Sequence, residues 1–309
     1  MTKHLPAKEL GLLLLLAALW GAAYSFIRIG VETIPPITLI SARTFLAGSL
    51  LLVILRLRKL SLPMDGLTWR RFCIQACLNS AVPFTLIAWA EQHVNAGLAV
   101  ILNALTPIFA FLITAIFTRH ESVTLPKLLG VLLGIAGTCL IVGMSVLQDN
   151  SSQFLPQLAV MLASVCYAMG AIFGRNFKGL DPMMPAAGSL ICGSMMLIPL
   201  SLVIDHPWTL NPSRQSMLAL VALSVFSTAL AFAIYFRLVD TLGSIATTAQ
   251  AYLRVPIGVG IGIVFLHEQT STTLLIGLVL VVAGVIAMTL PASIWRIRRA
   301  PPLKTGSPH

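Results

Sequence analysis

Polar and apolar residues do not alternate along this chain; they separate into ten long apolar stretches divided by short polar ones. The stretches fall at about 10–29, 36–55, 72–90, 96–117 and 128–146, then at about 158–173, 185–204, 217–238, 245–266 and 274–290. Each is near the roughly 20 residues that an α-helix needs to cross a bilayer. Continuous apolar runs predict helices, because a barrel strand between lipid and water reads as an alternation. The expected fold class is all-α integral membrane, with ten transmembrane helices. The first stretch follows Lys3 and Lys8, as the apolar part of a signal peptide would. Nine further stretches and the charge bias below favour an uncleaved first helix.

The pattern repeats. A shift of 147 positions carries His120-Glu121 onto His267-Glu268, Gly130 onto Gly277, Gly137 onto Gly284, Arg28 onto Arg175 and Pro35 onto Pro182. It also sets Tyr167 where Trp20 stood, while Pro107 answers Pro256 two residues out of step. Leucine matches arise from composition alone; matches of Arg, Pro, His-Glu and Gly at one offset point to a duplicated half. The expected division is a first repeat over 1–147, a connecting loop over 148–156, a second repeat over 157–292 and a basic tail over 293–309. Five spans is an odd number, so the second repeat enters the membrane inverted, an arrangement that commonly places a substrate site between the halves.

Composition changes this picture little. Of 309 residues 57% are hydrophobic and 10% charged, with a mean hydropathy of +0.93; a soluble domain needs about 25% charged residues to clothe its surface. The net charge of +10 follows from topology rather than nucleic-acid binding. With the N-terminus in the cytoplasm, sixteen of the twenty Lys and Arg residues collect on the inner side and Arg28 and Arg214 stay outside, as the positive-inside rule requires. The expectation is N-in/C-in in a bacterial inner membrane. The five cysteines all lie in apolar runs without zinc or redox spacing. No metal and no cofactor is expected.

Two charges lie well inside the spans, Arg43 and Arg254. An arginine at a helix centre costs about 2.5–3.5 kcal/mol on insertion scales, so each needs a cavity or a partner. Either can anchor a carboxylate or phosphate through its fork of donors, bind carbonyls freed by a proline, or snorkel to a headgroup. Arg254 is central and favours the cavity. Thr247, Gln250, Arg254, Gly258 and Gly262 share one face of the ninth helix. Gln75 and Asn79 stack in the third, Asn103 and Thr106 in the fourth, and Ser224, Ser227, Thr228 and Tyr235 in the eighth. Trp20, Tyr24, Trp89, Tyr167, Tyr235 and Tyr252 are candidates to line the same space. Pro83, Pro107 and Pro256 are expected to kink or weaken their helices. Gly130/Gly134, Gly170/Gly174 and Gly258/Gly262 fit close helix contact. His120-Glu121 and His267-Glu268 lack the second histidine of a metalloprotease motif and read as span-end caps or gates.

Leu19-Trp20-Gly21, Arg43, Leu105-Thr106-Pro107 followed by Glu121, Gly130 and Gly137, then Pro256, Glu268, Gly277 and Gly284, together resemble the EamA-type members of the drug/metabolite transporter superfamily. The resemblance spans nearly the whole chain. It implies two inverted five-helix repeats, cytoplasmic termini, a central cavity, and a role like that of the many bacterial members that export amino acids or other small metabolites. Three positions depart from the pattern. Histidine stands before each glutamate where glycine is usual, Leu190 occupies the repeat position of Arg43, and Arg254 stands two residues before Pro256.

The function expected is a secondary transporter that exports an amino acid or related small metabolite by alternating access. Arg254, Gln250, Asn79, Asn103 and Arg43 would orient its polar groups, and the aromatics would line the apolar part. Pro107, Pro256, Glu91, His267 and Glu268 are the gating or coupling candidates. The energy source stays open between the substrate gradient, exchange and protons, as does the oligomeric state. An exchanger of phosphorylated metabolites or nucleotide sugars is the alternative within transport. An intramembrane enzyme or a passive scaffold is the alternative outside it, and no nucleophile–base pair is seen in the sequence.

Overall fold

The computed structural model describes residues 7–118, 125–147, 153–242 and 250–289. Among these residues there is no strand, and the chain forms ten helical rods. They are α1 (Ala7–Gly30), α2 (Pro36–Leu57), α3 (Gly66–Ala90), α4 (96–118), α5 (Leu125–Leu147), α6 (Phe154–Phe177), α7 (Met183–Ile204), α8 (214–242), α9 (Gln250–Leu266) and α10 (Thr272–Thr289). Seven of them, α1 to α4 and α6 to α8, are long and apolar enough to cross a membrane; α5, α9 and α10 carry shorter apolar stretches. Val264, Phe265, Leu218 and Val279 point outward and are each more than half exposed, the surface expected of helices solvated by lipid. Hydroxyls bond back to their own helices, as Thr44 does to the Ile40 carbonyl, Thr85 to Ala81 and Ser224 to Leu220. Such bonds satisfy polar side chains where water is absent.

Three rods are interrupted, and each interruption has a local cause or consequence. In α3 a π-helical turn over Cys77–Ala81 precedes Pro83, whose missing N–H and bulky ring deprive the carbonyl of residue 79 of its usual partner. In α4 the helix breaks between Asn103 and Thr106. Pro107 cannot donate to the Asn103 carbonyl, and the Thr106 hydroxyl does so instead at 2.8 Å. In α8 a π turn covers Val225–Leu230 with no proline nearby, and the Thr228 hydroxyl reaches back five residues to the Leu223 carbonyl at 2.8 Å. Pro256 differs from expectation: α9 runs unbroken through it.

Packing joins the first five rods to the last five. α2 lies on α7, α5 on α10, α1 on α8 and α9, α3 on α6 and α7, and α4 on α6 and α9. Glycines set the closest approaches. A Cβ at Gly137 would stand 2.9 Å from the Gly277 carbonyl oxygen, and one at Gly21 would stand 3.0 Å from that of Arg254. Gly137 of α5 therefore meets Gly277 of α10, and Gly130 meets Gly284. Gly174, expected at a close contact, faces open space instead.

Candidate functional site

Where the two sets of rods face each other they leave a cavity of about 860 Å3. It reaches the exposed turn Lys178–Gly179 between α6 and α7. At the other end Tyr24, Ile27, Phe84 and Ile87, all buried, close it.

Arg43 projects from α2 into this space and is 5% exposed. Its Nε donates to Thr228 Oγ1 at 3.0 Å, and its guanidinium carbon lies 3.8 Å over the Phe84 ring. The π turn of α8 thus supplies the hydroxyl that holds the cation, and α3 supplies an aromatic face for it. The carbonyl and headgroup roles open for Arg43 in the sequence give way to these side-chain partners.

Arg254 enters from α9. Its Nη2 donates to Asn103 Oδ1 at 3.3 Å, and Asn103 Nδ2 donates to Ser164 Oγ at 3.3 Å. Ser164 is anchored on the Leu102 and Val160 carbonyls at 3.3 and 3.1 Å. This polar chain ties α9 through the break in α4 to α6. Arg254 Nε is buried without a hydrogen-bond partner, a donor in a charged group that carries a desolvation cost until something accepts from it.

Aromatics form two groups around the cations. Trp20 lies 5.5 Å from Tyr235 and 6.1 Å, edge-on, from Phe232. Tyr167 lies 6.3 Å from Phe84. Of the residues singled out in the sequence, Arg43, Asn79, Asn103, Arg254, Trp20, Tyr24, Tyr167, Tyr235 and Pro107 line the cavity. Trp89 does not; it sits 5.6 Å from His93, edge-on, and Pro256 faces outward. The side chains of Gln250 and Tyr252 lie outside the described ones, as do Thr247, His120 and Glu121. Phe84, Phe232, Ser189 and Lys178 line the cavity without having been singled out. A phenylalanine in an apolar helix carries no mark of the face it takes, and Lys178 reads as one more inner-loop cation.

At the closed end the turn after α9 meets the start of α4. Glu268 Oε1 accepts from the Ala96 amide at 2.7 Å and Oε2 from the Gly97 amide at 3.0 Å. The carboxylate so caps two of the free N–H groups at a helix start, where negative charge is favoured. His267 turns the chain into that cap with φ 51°. Glycine adopts this backbone region without strain, which explains why glycine is usual before the glutamate. Glu91, just after α3, is fully enclosed, and neither carboxyl oxygen has a hydrogen-bond partner. Arg28 Nη1 donates to its main-chain oxygen instead. Burial, and then the nearby Glu268 charge, push the Glu91 carboxyl well above the usual carboxylate range, against the pull of Arg28 and Arg43.

The EamA-like transporter family model matches residues 8–143 and again 155–290. This chain belongs to the EamA-like transporter family. It is a multi-pass membrane protein and a membrane transporter of that family. It is 28% identical over 283 residues to "Uncharacterized inner membrane transporter YedA" of Escherichia coli (strain K12), covering 91% of this chain and 90% of that one. It is 23% identical over 277 residues to "Uncharacterized transporter YoaV" of Bacillus subtilis (strain 168), covering 89% and 94%. A "Probable terminal-alkyne amino-acid exporter" of Streptantibioticus cattleyicolor is 26% identical over 287 residues, covering 90% and 92%. A crystal structure titled "Crystal structure of protein" shares the fold, with a TM-score of 0.62, 18% identity and coverage of 92% and 97%.

Proposed function

We propose that this EamA-family transporter exports a small amphipathic carboxylate, an amino acid or a close relative of one, across the bacterial inner membrane. One observation carries the reading: two guanidiniums, Arg43 and Arg254, face one cavity, and Arg254 keeps a buried donor unpaired. An arriving carboxylate accepts from that donor, while Tyr24, Tyr167 and Trp20 offer aromatic faces to an apolar body or an ammonium group. The exporter among the relatives supports the substrate class and direction.

The transport cycle is alternating access between two inverted five-helix repeats, with Arg43 and Arg254 near the midplane and both termini in the cytoplasm. Two observations support it. The family model matches twice. Exchanging the halves also preserves the packing pairs, since α1 on α9 becomes α6 on α4 and α3 on α6 becomes α8 on α1. On this topology Lys178 lies at the cytoplasmic mouth, and the Glu91–Glu268 end is external and closed. Pro107, with the break it makes in α4, is the hinge candidate beside the cavity.

A second reading within transport, exchange of phosphorylated metabolites or nucleotide sugars, is favoured by Lys178. It brings a third cation to a cavity without a carboxylate among its described lining residues. Proteoliposomes loaded with a labelled amino acid decide between the two. The carboxylate reading expects efflux that competing carboxylates slow and phosphate esters do not. Inhibition by phosphate esters, with no amino-acid efflux, supports the exchanger.

A further inference from the structure

At the closed end Glu91 and Glu268 hold their carboxyl groups in unlike settings. Glu268 has both oxygens on main-chain amides of α4. Glu91 is 0% exposed and has neither oxygen paired, although its own turn leads directly into α4. The charged and titratable groups that act on it come from three sides: Arg28 and Tyr24 on α1, Arg43 on α2, and Glu268 after α9. On its own turn, His93 meets Trp89 edge-on. None of these hydrogen-bonds to the Glu91 carboxyl, and Arg28 is spent on the main chain.

A carboxylate enclosed without donors costs several kcal/mol more than one in water, and the neutral acid avoids most of that cost. Glu268, fixed beside it by two amides, adds repulsion against a second negative charge. We propose that Glu91 is a proton-binding site linked to closure of this end: the closed form holds one proton on its carboxyl, and parting of Glu268 from α4 exposes the group and releases that proton to water. The linkage is reciprocal, so protons favour the closed form as the closed form favours protons. The idea rests on the transporter reading only for the meaning of opening; the titration itself needs no substrate.

Hydrogen exchange in lipid nanodiscs tests it with the full chain. Amides of residues 96–103 are followed from mildly acidic to mildly alkaline pH, after correction for the intrinsic pH dependence of exchange. Wild-type protection is expected to fall about tenfold for each pH unit between the ordinary carboxyl range and the raised value of the closed form, and to level off above it. Glu91→Gln, a permanently neutral side chain, is expected to stay protected throughout. A flat wild-type profile overturns the proposal, and that arm needs no variant to fold. A profile that survives Glu91→Gln also overturns it, because the proton then sits elsewhere, on the imidazole if His93→Gln abolishes the profile. Since no substrate enters the measurement, failure of export in proteoliposomes leaves the result intact, and the reverse holds too.

Discussion

Arg254 reaches from α9 to Asn103, the last residue of the first helical segment of α4, with 3.3 Å between Nη2 and Oδ1. The contact falls where Pro107 interrupts α4, so the break in the helix and the cation facing the cavity are parts of one arrangement. Asn103 accepts one of the guanidinium donors and leaves Nε without an acceptor. A partner that is neutral and takes one donor holds Arg254 in place without cancelling its charge.

Asn103→Asp replaces that neutral partner with a charged one, and gives up the Nδ2 donor to Ser164. A carboxylate of nearly the same shape beside Arg254 forms an internal ion pair and neutralises the anion site. Carboxylate efflux in proteoliposomes is expected to fall about 10- to 100-fold, the equivalent of a charged hydrogen bond worth about 1.5–3 kcal/mol. Normal expression and an unchanged size-exclusion profile accompany that loss. Efflux as fast as wild type would show that the Arg254 charge is not read by substrate.

The α5–α10 pair is held at a distance that only glycine allows. Gly137→Val places its side chain against the Gly277 oxygen and Leu280 Cβ, each 2.9 Å from the new Cβ. Overpacking of this kind costs about 1–3 kcal/mol, so the thermal unfolding midpoint should drop. Gly174→Ala, facing open space, is expected to leave it within the scatter of replicate scans.

His267 occupies the left-handed region with φ 51°, at a cost of about 1–2 kcal/mol for a residue with a Cβ. His267→Gly relieves that strain and is expected to raise the unfolding midpoint by a few degrees. It keeps the Glu268 cap, because the carboxylate bonds come from position 268. A lowered midpoint would mean that the imidazole itself holds the turn.

Glu91 makes stability depend on pH with a definite sign. Its carboxyl is pushed upward in the folded protein, so the folded state binds the proton more tightly than the unfolded chain does. The contribution is full below the ordinary carboxyl range and is lost as pH rises through the elevated value. Thermal scans of the wild type should therefore show a midpoint that declines toward alkaline pH, and Glu91→Gln should remove most of that slope. A wild-type midpoint that climbs over the same range contradicts this assignment.

Much of the architecture is legible from residues that have few reasons to recur. His-Glu, Arg, Pro and Gly at one offset point to a duplication, and the family model matches residues 8–143 and again 155–290. The two buried arginines point to a cavity because an unpaired charge has nowhere else to go in lipid. What sequence does not carry is the partner each cation chooses. Thr228 reaches Arg43 because α8 widens into a π turn, and no proline marks that turn as Pro83 marks the π turn of α3. Phe84 becomes the face under Arg43 through helix rotation alone. Pro256 misleads in the opposite direction, since a proline in a helix need not break it.

Efflux of a labelled carboxylate from proteoliposomes, compared among wild type, Arg254→Lys and Arg254→Ala, tests the central claim most directly. The alanine variant is expected to lose about 10- to 100-fold in apparent affinity for substrate. The lysine variant, with its charge but no fork of donors, should lie between alanine and wild type. Equal flux and equal affinity in all three would contradict that claim and remove Arg254 from substrate binding.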